Sequence, residues 1–195
     1  MRHLSDENMK IIEDSVRNII DALGDDVNRP GLIETPHRVA KMYDEIYEGM
    51  RYTNDEIAEM FNKCFDEPEA NDLVCMTNID TFSNCEHHLA LMYNMKVSVA
   101  YIPKGRVIGL SKIARVVDMA SKRLQLQERL AEDIADILEK ILDTKDVFVY
   151  IEGEHSCMTA RGIKKPGTIT KSSVAHGEFY EDATLRAEVF NLIKL

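Results

Sequence analysis

The chain has 195 residues, 45% of them hydrophobic and 30% charged, with a formal net charge of −10 at pH 7. That length admits one large domain or a domain with an extension, and a chain of this size buries enough surface to need no disulfide staples. No apolar run approaches the roughly 20 residues of a membrane span, and Met1–Glu7 lacks the apolar core of a secretory leader, so a cytoplasmic protein with no membrane partner is expected.

The first third reads as helical. Ser5, Asp6 and Glu7 open a helix that Met9, Ile12, Val16, Ile19, Ile20 and Leu23 continue at helical spacing and Gly24 ends. Thr35-Pro36 opens a second, with Thr35 as cap and Val39, Met42, Tyr43, Ile46 and Met50 as its apolar stripe. A third begins near Thr53 or Asn54 and carries Ile57, Met60, Phe61 and Cys64. Residues 66–72, with Pro68, read as a linker. Beyond it the period changes. Strands are expected at 73–83, 95–102, 146–153 and 168–177, and helices at 111–121, 127–142 and 182–192. Strands and helices come in runs rather than alternating, which points to an α+β fold on an antiparallel sheet. The expected organisation is an N-terminal helical region, 1–72, and a catalytic α+β domain, 73–195.

Charge follows the same division. Residues 1–72 carry 8 Lys/Arg against 18 Asp/Glu, while residues 73–195 carry 16 of each. The acidic part argues against a nucleic-acid partner, which needs a basic face. The neutral part hides basic stretches: Lys96–Arg123 holds seven Lys/Arg and one acid, Asp118, and Arg161–Lys171 holds four and none. A solvated basic face is the ordinary reading of such stretches, but these two flank the residues with chemistry.

Cysteines in a reducing compartment are buried, catalytic or metal-bound more often than paired. Cys64 and Cys75 sit in apolar segments and read as core. Cys85-Glu86-His87-His88 ends the first strand, and His155-Ser156-Cys157 follows the third. The C-x-x-H spacing of Cys85 and His88 lets a turn aim two ligands at one ion. His155 and Cys157, two apart on an extended chain, would face one side. Neighbouring strands could unite the clusters, and a mixed thiolate and imidazole set suits zinc. A structural ion would take Cys85, His88, His155 and Cys157; a catalytic one would keep three ligands and spare histidines for proton transfer. The surplus of candidate ligands favours the second form.

A helix start at Gly109-Leu110-Ser111-Lys112, with Arg115 one turn on, suits a polyphosphate, and Arg161 could add a second guanidinium. Gln127-Glu128 at the next helix start offers an amide and a carboxylate, and a carboxylate can accept two hydrogen bonds from a guanine edge. The paired H-x-E and C-x-x-C pattern of zinc nucleobase deaminases does not occur.

Taken together, the blocks ETPHRVAKMYDEIYEG (34–49), CEHH (85–88), VAYIPKGRVIGLSKIARVV (99–117), QERLAEDI (127–134) and HSCMTARGI (155–163), with a looser Thr/Ser pattern at 168–173, resemble the GTP cyclohydrolase I family over nearly the whole chain. The resemblance implies conversion of GTP, with water, to 7,8-dihydroneopterin triphosphate and formate. It implies Cys85, His88 and Cys157 as zinc ligands, His155 as acid/base near N7, and His87 handling protons at the ribose end. Glu128 would read the guanine edge, with Gln127 close to the base and ribose. Ser111, Lys112, Arg115 and Arg161 would hold the triphosphate or ribose, and Ser111 is counted with the catalytic set. Lys41 and Arg38 would reach the triphosphate from a neighbouring subunit. The implied fold is of the tunnelling type, a four-stranded antiparallel sheet with two helices inserted between its hairpins and an N-terminal helical extension. Such chains form rings, and two stacked pentamers make a homodecamer. Residues 89–95 are long for the family's hairpin. The alternative is a non-enzymatic, zinc-stapled nucleotide-binding oligomer of the same fold.

Overall fold

In the computed structural model, which describes residues 2–67 and 69–194, the chain forms two compact units, 1–51 and 52–195. Met1, Pro68 of the expected linker and Leu195 at the end of the expected second domain lie outside the described residues.

The first unit is helical. Its first helix, α1 (Asp6–Ala22), starts where Ser5 Oγ accepts from Asn8 N at 3.2 Å. It ends in a Schellman motif: Gly24 N donates to Asp21 O at 2.9 Å and Asp25 N to Ile20 O at 3.2 Å. That turn requires the left-handed backbone of Gly24, φ 87°. The second helix, α2, spans Thr35–Ile46; Thr35 is its first residue rather than its cap, and the preceding Glu34 makes no side-chain cap bond. His37 on α2 ties to Glu13 on α1, Nδ1 to Oε1, at 2.7 Å. A 3-10 turn at Glu48–Arg51 closes the unit.

The second unit runs α3 (Asn54–Phe61), β1 (Cys64–Asp66), β2 (Val74–Cys85), β3 (Ala90–Tyr101), β4 (Arg106–Ile108), α4 (Leu110–Ser121), β5 (Leu124–Gln125), α5 (Gln127–Leu142), β6 (Val147–His155), α6 (Ser156–Thr159), β7 (Ile169–Ala175), α7 (Glu178–Glu181) and α8 (Ala183–Lys194). The expected four strands form one antiparallel series, β2-β3-β6-β7, with α4 and α5 inserted between β3 and β6. The sheet has a fifth strand that the sequence pattern did not indicate: β5 pairs in parallel with the end of β2. Cys64 is not helical; it begins β1, which pairs with β4 in a separate two-stranded sheet. The segment 66–72 lies inside this unit, with Glu67 N donating to Gly105 O at 2.9 Å. The second strand begins at Ala90 rather than 95. Of the extra length at 89–95, Leu89 belongs to the hairpin turn and the rest is strand, interrupted by a bulge between Tyr93 and Lys96 where Asn94 takes φ 50°.

Both sheet faces are covered. Val97, Val99, Tyr101, Val147, Val149 and Ile151 point to α4 and α5, where Ile113, Leu130, Ile134, Ile137 and Leu138 are fully buried. Each such side chain contributes about 1.5–3 kcal/mol on burial. The alternate residues Ala100 and Phe148 point the other way, against Phe179 and Val189 of α7 and α8. Phe148 meets Phe190 edge-on at 5.4 Å between centroids. No described helix is long and apolar enough to cross a membrane.

Asp146 secures the corner where β3, β6 and β7 end. Its Oδ1 accepts from Glu178 N at 2.8 Å, and its Oδ2 meets Lys104 Nζ at 2.6 Å. Gly177 passes so close that a Cβ there would lie 2.2 Å from Asp146 Oδ1. Burial alone would raise the Asp146 pKa, but the Lys104 ammonium and the Glu178 N–H outweigh it and hold it below the ordinary 3.8. A carboxyl depressed in the fold stabilises above its unfolded pKa and loses that contribution as pH falls through the folded value. Asp146→Asn is therefore expected to cost about 1.5–3 kcal/mol at pH 7. Urea midpoints should show that gap closing as pH drops below about 3.8; a gap unchanged down to pH 3 would contradict the ionic role.

Candidate metal centre

The sheet register places the two chemical clusters side by side. Cys85, the last residue of β2, pairs with Ala90 at the start of β3, and Met92 two residues on pairs with His155 at the end of β6. A four-residue turn, 86–89, closes the β2–β3 hairpin with Leu89 at φ 50°. That turn presents His87 and His88. After His155 the chain leaves the extended conformation for α6, so Cys157 sits on a helical turn. The alternation expected for His155 and Cys157 therefore does not hold. Cys157 swings toward Cys85, and His155 turns to α5.

One donor atom each from Cys85, His88 and Cys157 lies within 4.8 Å of the others. Cys85 is buried and His88 exposed, so the group opens to solvent on the histidine side. Burial, the adjacent Cys85 thiol and a weaker opposing effect of Arg161 leave the Cys157 thiol above its ordinary 9.0. Two thiols this close ionise together only with a cation between them, and two sulfurs with one imidazole is a donor set that suits a soft divalent ion.

Around this group the predicted residues fall into three sets. The first adjoins it. His87 is exposed, with Nδ1 3.8 Å from Cys85 Sγ. Arg161, on the loop after α6, donates from Nη1 to His88 Nε2 at 2.9 Å. His155 meets Gln127 Oε1 through Nε2 at 2.9 Å. Desolvation lowers the His155 pKa below the ordinary 6.5, partly offset by the charge of Glu128. Glu128 is exposed on the first turn of α5, where a carboxylate is favoured by the helix dipole. Gln127 beside it is 1% exposed, its amide already engaged with the backbone and His155.

The second set lies on α4. Ser111, Lys112 and Arg115 occupy the N-terminal half of that helix, whereas its C-terminal end lies at β2, with Ser83 Oγ donating to Ser121 O at 2.7 Å. With a rise of about 1.5 Å per residue, Ser111 stands about 15 Å along the helix from Ser121. The third set, Arg38 and Lys41, is exposed on α2 in the first unit, where Arg38 pairs with Glu34 at 2.5 Å.

Two braces escaped the sequence pattern. Arg129 Nη1 donates to Glu86 Oε2 at 2.5 Å, tying the hairpin turn that carries His87 and His88 to the helix turn that carries Glu128. Glu154 accepts from Asn94 Nδ2 at 2.9 Å and from Gly167 N at 3.2 Å, anchoring the loop that carries Arg161. The signal for the first was present as a charged residue inside C-x-x-H with no ligand role, but its partner is 43 residues away.

A family model described as GTP cyclohydrolase I matches residues 12–194. A protein of Clostridium acetobutylicum named GTP cyclohydrolase 1 is 57% identical over 189 residues, covering 95% of this chain and 97% of that protein. Proteins of the same name from Clostridium botulinum and Clostridium beijerinckii are 60% and 53% identical, over 89% and 95% of this chain and 91% and 96% of their own lengths.

The geometry separates ligands from the histidine beside them. In protein purified without chelator, His88→Ala and Cys157→Ser should lose most of the bound metal, and His155→Ala should keep it. Mass-spectrometric metal content measures this; equal loss from His155→Ala and His88→Ala would place His155 among the ligands.

Proposed function

The chain belongs to the GTP cyclohydrolase I family of enzymes, and from that premise we propose that Cys85, His88 and Cys157 hold zinc and that the site opens the imidazole ring of the guanine in GTP by hydrolysis, giving 7,8-dihydroneopterin triphosphate and formate. The observation that carries this reading is the convergence of two thiols and one imidazole within 4.8 Å, with a second histidine, His155, held by Gln127 outside that group. Zinc, when bound, supplies Lewis acidity that makes water reactive at neutral pH.

The chain's own residues supply the rest. Glu128, exposed at the first turn of α5, accepts from guanine N1–H and N2–H₂ and orients the base. His155 takes and returns a proton near N7, as imidazole opening, deformylation and rearrangement each require. His87, on the exposed turn, does the same at the ribose end. Arg161 brings a cation to the ribose or phosphates. Ser111, Lys112 and Arg115, with Lys41 and Arg38, suit the triphosphate, whose charge a guanidinium or ammonium can meet directly.

In the family's form of the site Lys41 and Arg38 reach the triphosphate from a neighbouring subunit, so this reading calls for a second copy to complete it. A ring-forming homo-oligomer, in the family's form a decamer of two stacked pentamers, would supply it. Two features support an oligomer. The outer strand β7 leaves a sheet edge for pairing. In α1 no residue is fully buried, and Ile11, Ile19 and Leu23 are exposed. Cytoplasmic residence accords with the four free cysteines.

Formate release from GTP and from ITP, which lacks the 2-amino group, tests the reading and its division of labour. Wild-type protein should release formate from GTP and form a product that oxidises to a fluorescent pterin. Glu128→Gln should narrow the preference for GTP over ITP by roughly tenfold, the value of one charge-assisted hydrogen bond. Arg161→Ala should raise the KM for both nucleotides and leave the preference standing. Binding of GTP without formate would select the non-enzymatic alternative instead.

A further inference from the structure

Gln127 opens α5 and is 1% exposed, so it is placed to hold something rather than to meet solvent. Its Nε2 lies 3.1 Å from each of three acceptors: Ile151 O on β6, and Thr170 O and Ser172 Oγ on β7. Main-chain carbonyls only accept. The amide nitrogen must therefore face β6 and β7, because turning the carboxamide over would set its oxygen against two carbonyl oxygens. That orientation leaves Oε1 aimed at His155, 2.9 Å from Nε2. An amide oxygen also only accepts, so the imidazole must be the donor.

We infer that Gln127 is a positioning residue that keeps a His155 proton on Nε2 and so leaves Nδ1 as the ring nitrogen available to exchange a proton. The chain of constraint runs from the β6–β7 backbone through one buried amide to one ring nitrogen. Adjacent residues of α5 then divide the work. Gln127 faces inward and sets the state of the proton carrier; Glu128 faces outward and orients the base. A hydrogen bond fixed at one nitrogen of a histidine sets which of the two carries the proton. A misplaced proton would leave Nδ1 a donor where the reaction needs an acceptor. The use made of Nδ1 rests on the ring-opening reading; the tautomer is a property of the fold.

Solid-state ¹⁵N spectra of zinc-loaded, histidine-labelled protein at pH 8, with His155 assigned by its loss in His155→Gln, read the tautomer directly. A single Nε2–H signature for His155 is expected, and an Nδ1–H signature or an even mixture would overturn the inference. Gln127→Met removes the acceptor and keeps an unbranched side chain of similar length. It should show both tautomers and a kcat for formate release lower by at least about tenfold, with KM for GTP changed less than threefold. An unchanged tautomer and kcat in a folded Gln127→Met would also overturn it, whatever the change in melting temperature. If that variant does not fold, the wild-type spectrum decides. A wild-type protein with the Nε2–H signature and no formate release would refute the ring-opening reading and leave the positioning role intact.

Discussion

The position of every group in the site depends on β3 being paired on both sides. It hydrogen-bonds to β2 along one edge and to β6 along the other, and its first residues stand opposite Cys85 on one side and His155 on the other. Strands in a sheet are about 4.8 Å apart, so two neighbours of one strand bring their ends within reach of a common ion. A one-residue slip in either pairing would turn a ligand to the wrong face. The aliphatic face that β3 and β6 bury against α4 and α5 is what makes such a slip costly. The core thus secures the register, and the register brings the strand ends that carry Cys85 and Cys157 together.

The helices extend that logic from distance to chemistry. Leucine and isoleucine side chains hold α5 on the sheet, and its first turn comes to rest beside His155. The brace from Arg129 to Glu86 then links the same turn to the hairpin that carries Cys85 and His88. The residues proposed for base recognition, proton transfer and metal binding are therefore attached to one junction of strand ends and helix start. Rigid elements hold a constellation more tightly than loops do. The residues proposed to meet the triphosphate lie on the first half of α4 and on α2 of the first unit.

Much of this was legible in the sequence because long amphipathic elements announce their period. The bounds expected for α5, 127–142, are those found, and α4 differs by one residue. The C-x-x-H spacing picked out, without any tertiary information, the turn whose Cys85 and His88 come together with Cys157. Short elements were not legible: β1 and β5 have three and two residues, too few for a period, and their pairing comes from chain segments far away in sequence. The start of β3 was hidden by the bulge at Asn94, which breaks the alternation a strand is recognised by. The separation of His155 from Cys157 was missed for a different reason. An extended chain would put them on one face, but the strand gives way to a helical turn between them. Gln127 was visible as a residue beside Glu128, yet its burial, and hence its service to His155 rather than to solvent, follows only from the junction of α5 with β6 and β7.

The central claim is that two strand ends deliver two sulfurs and one imidazole to a single ion while His155 stays outside its coordination shell. Zinc K-edge X-ray absorption on the zinc-loaded protein measures that shell. The account predicts two sulfur ligands near 2.3 Å and one imidazole, with a single further light-atom ligand. A shell with two imidazoles, or with only one sulfur, would contradict it.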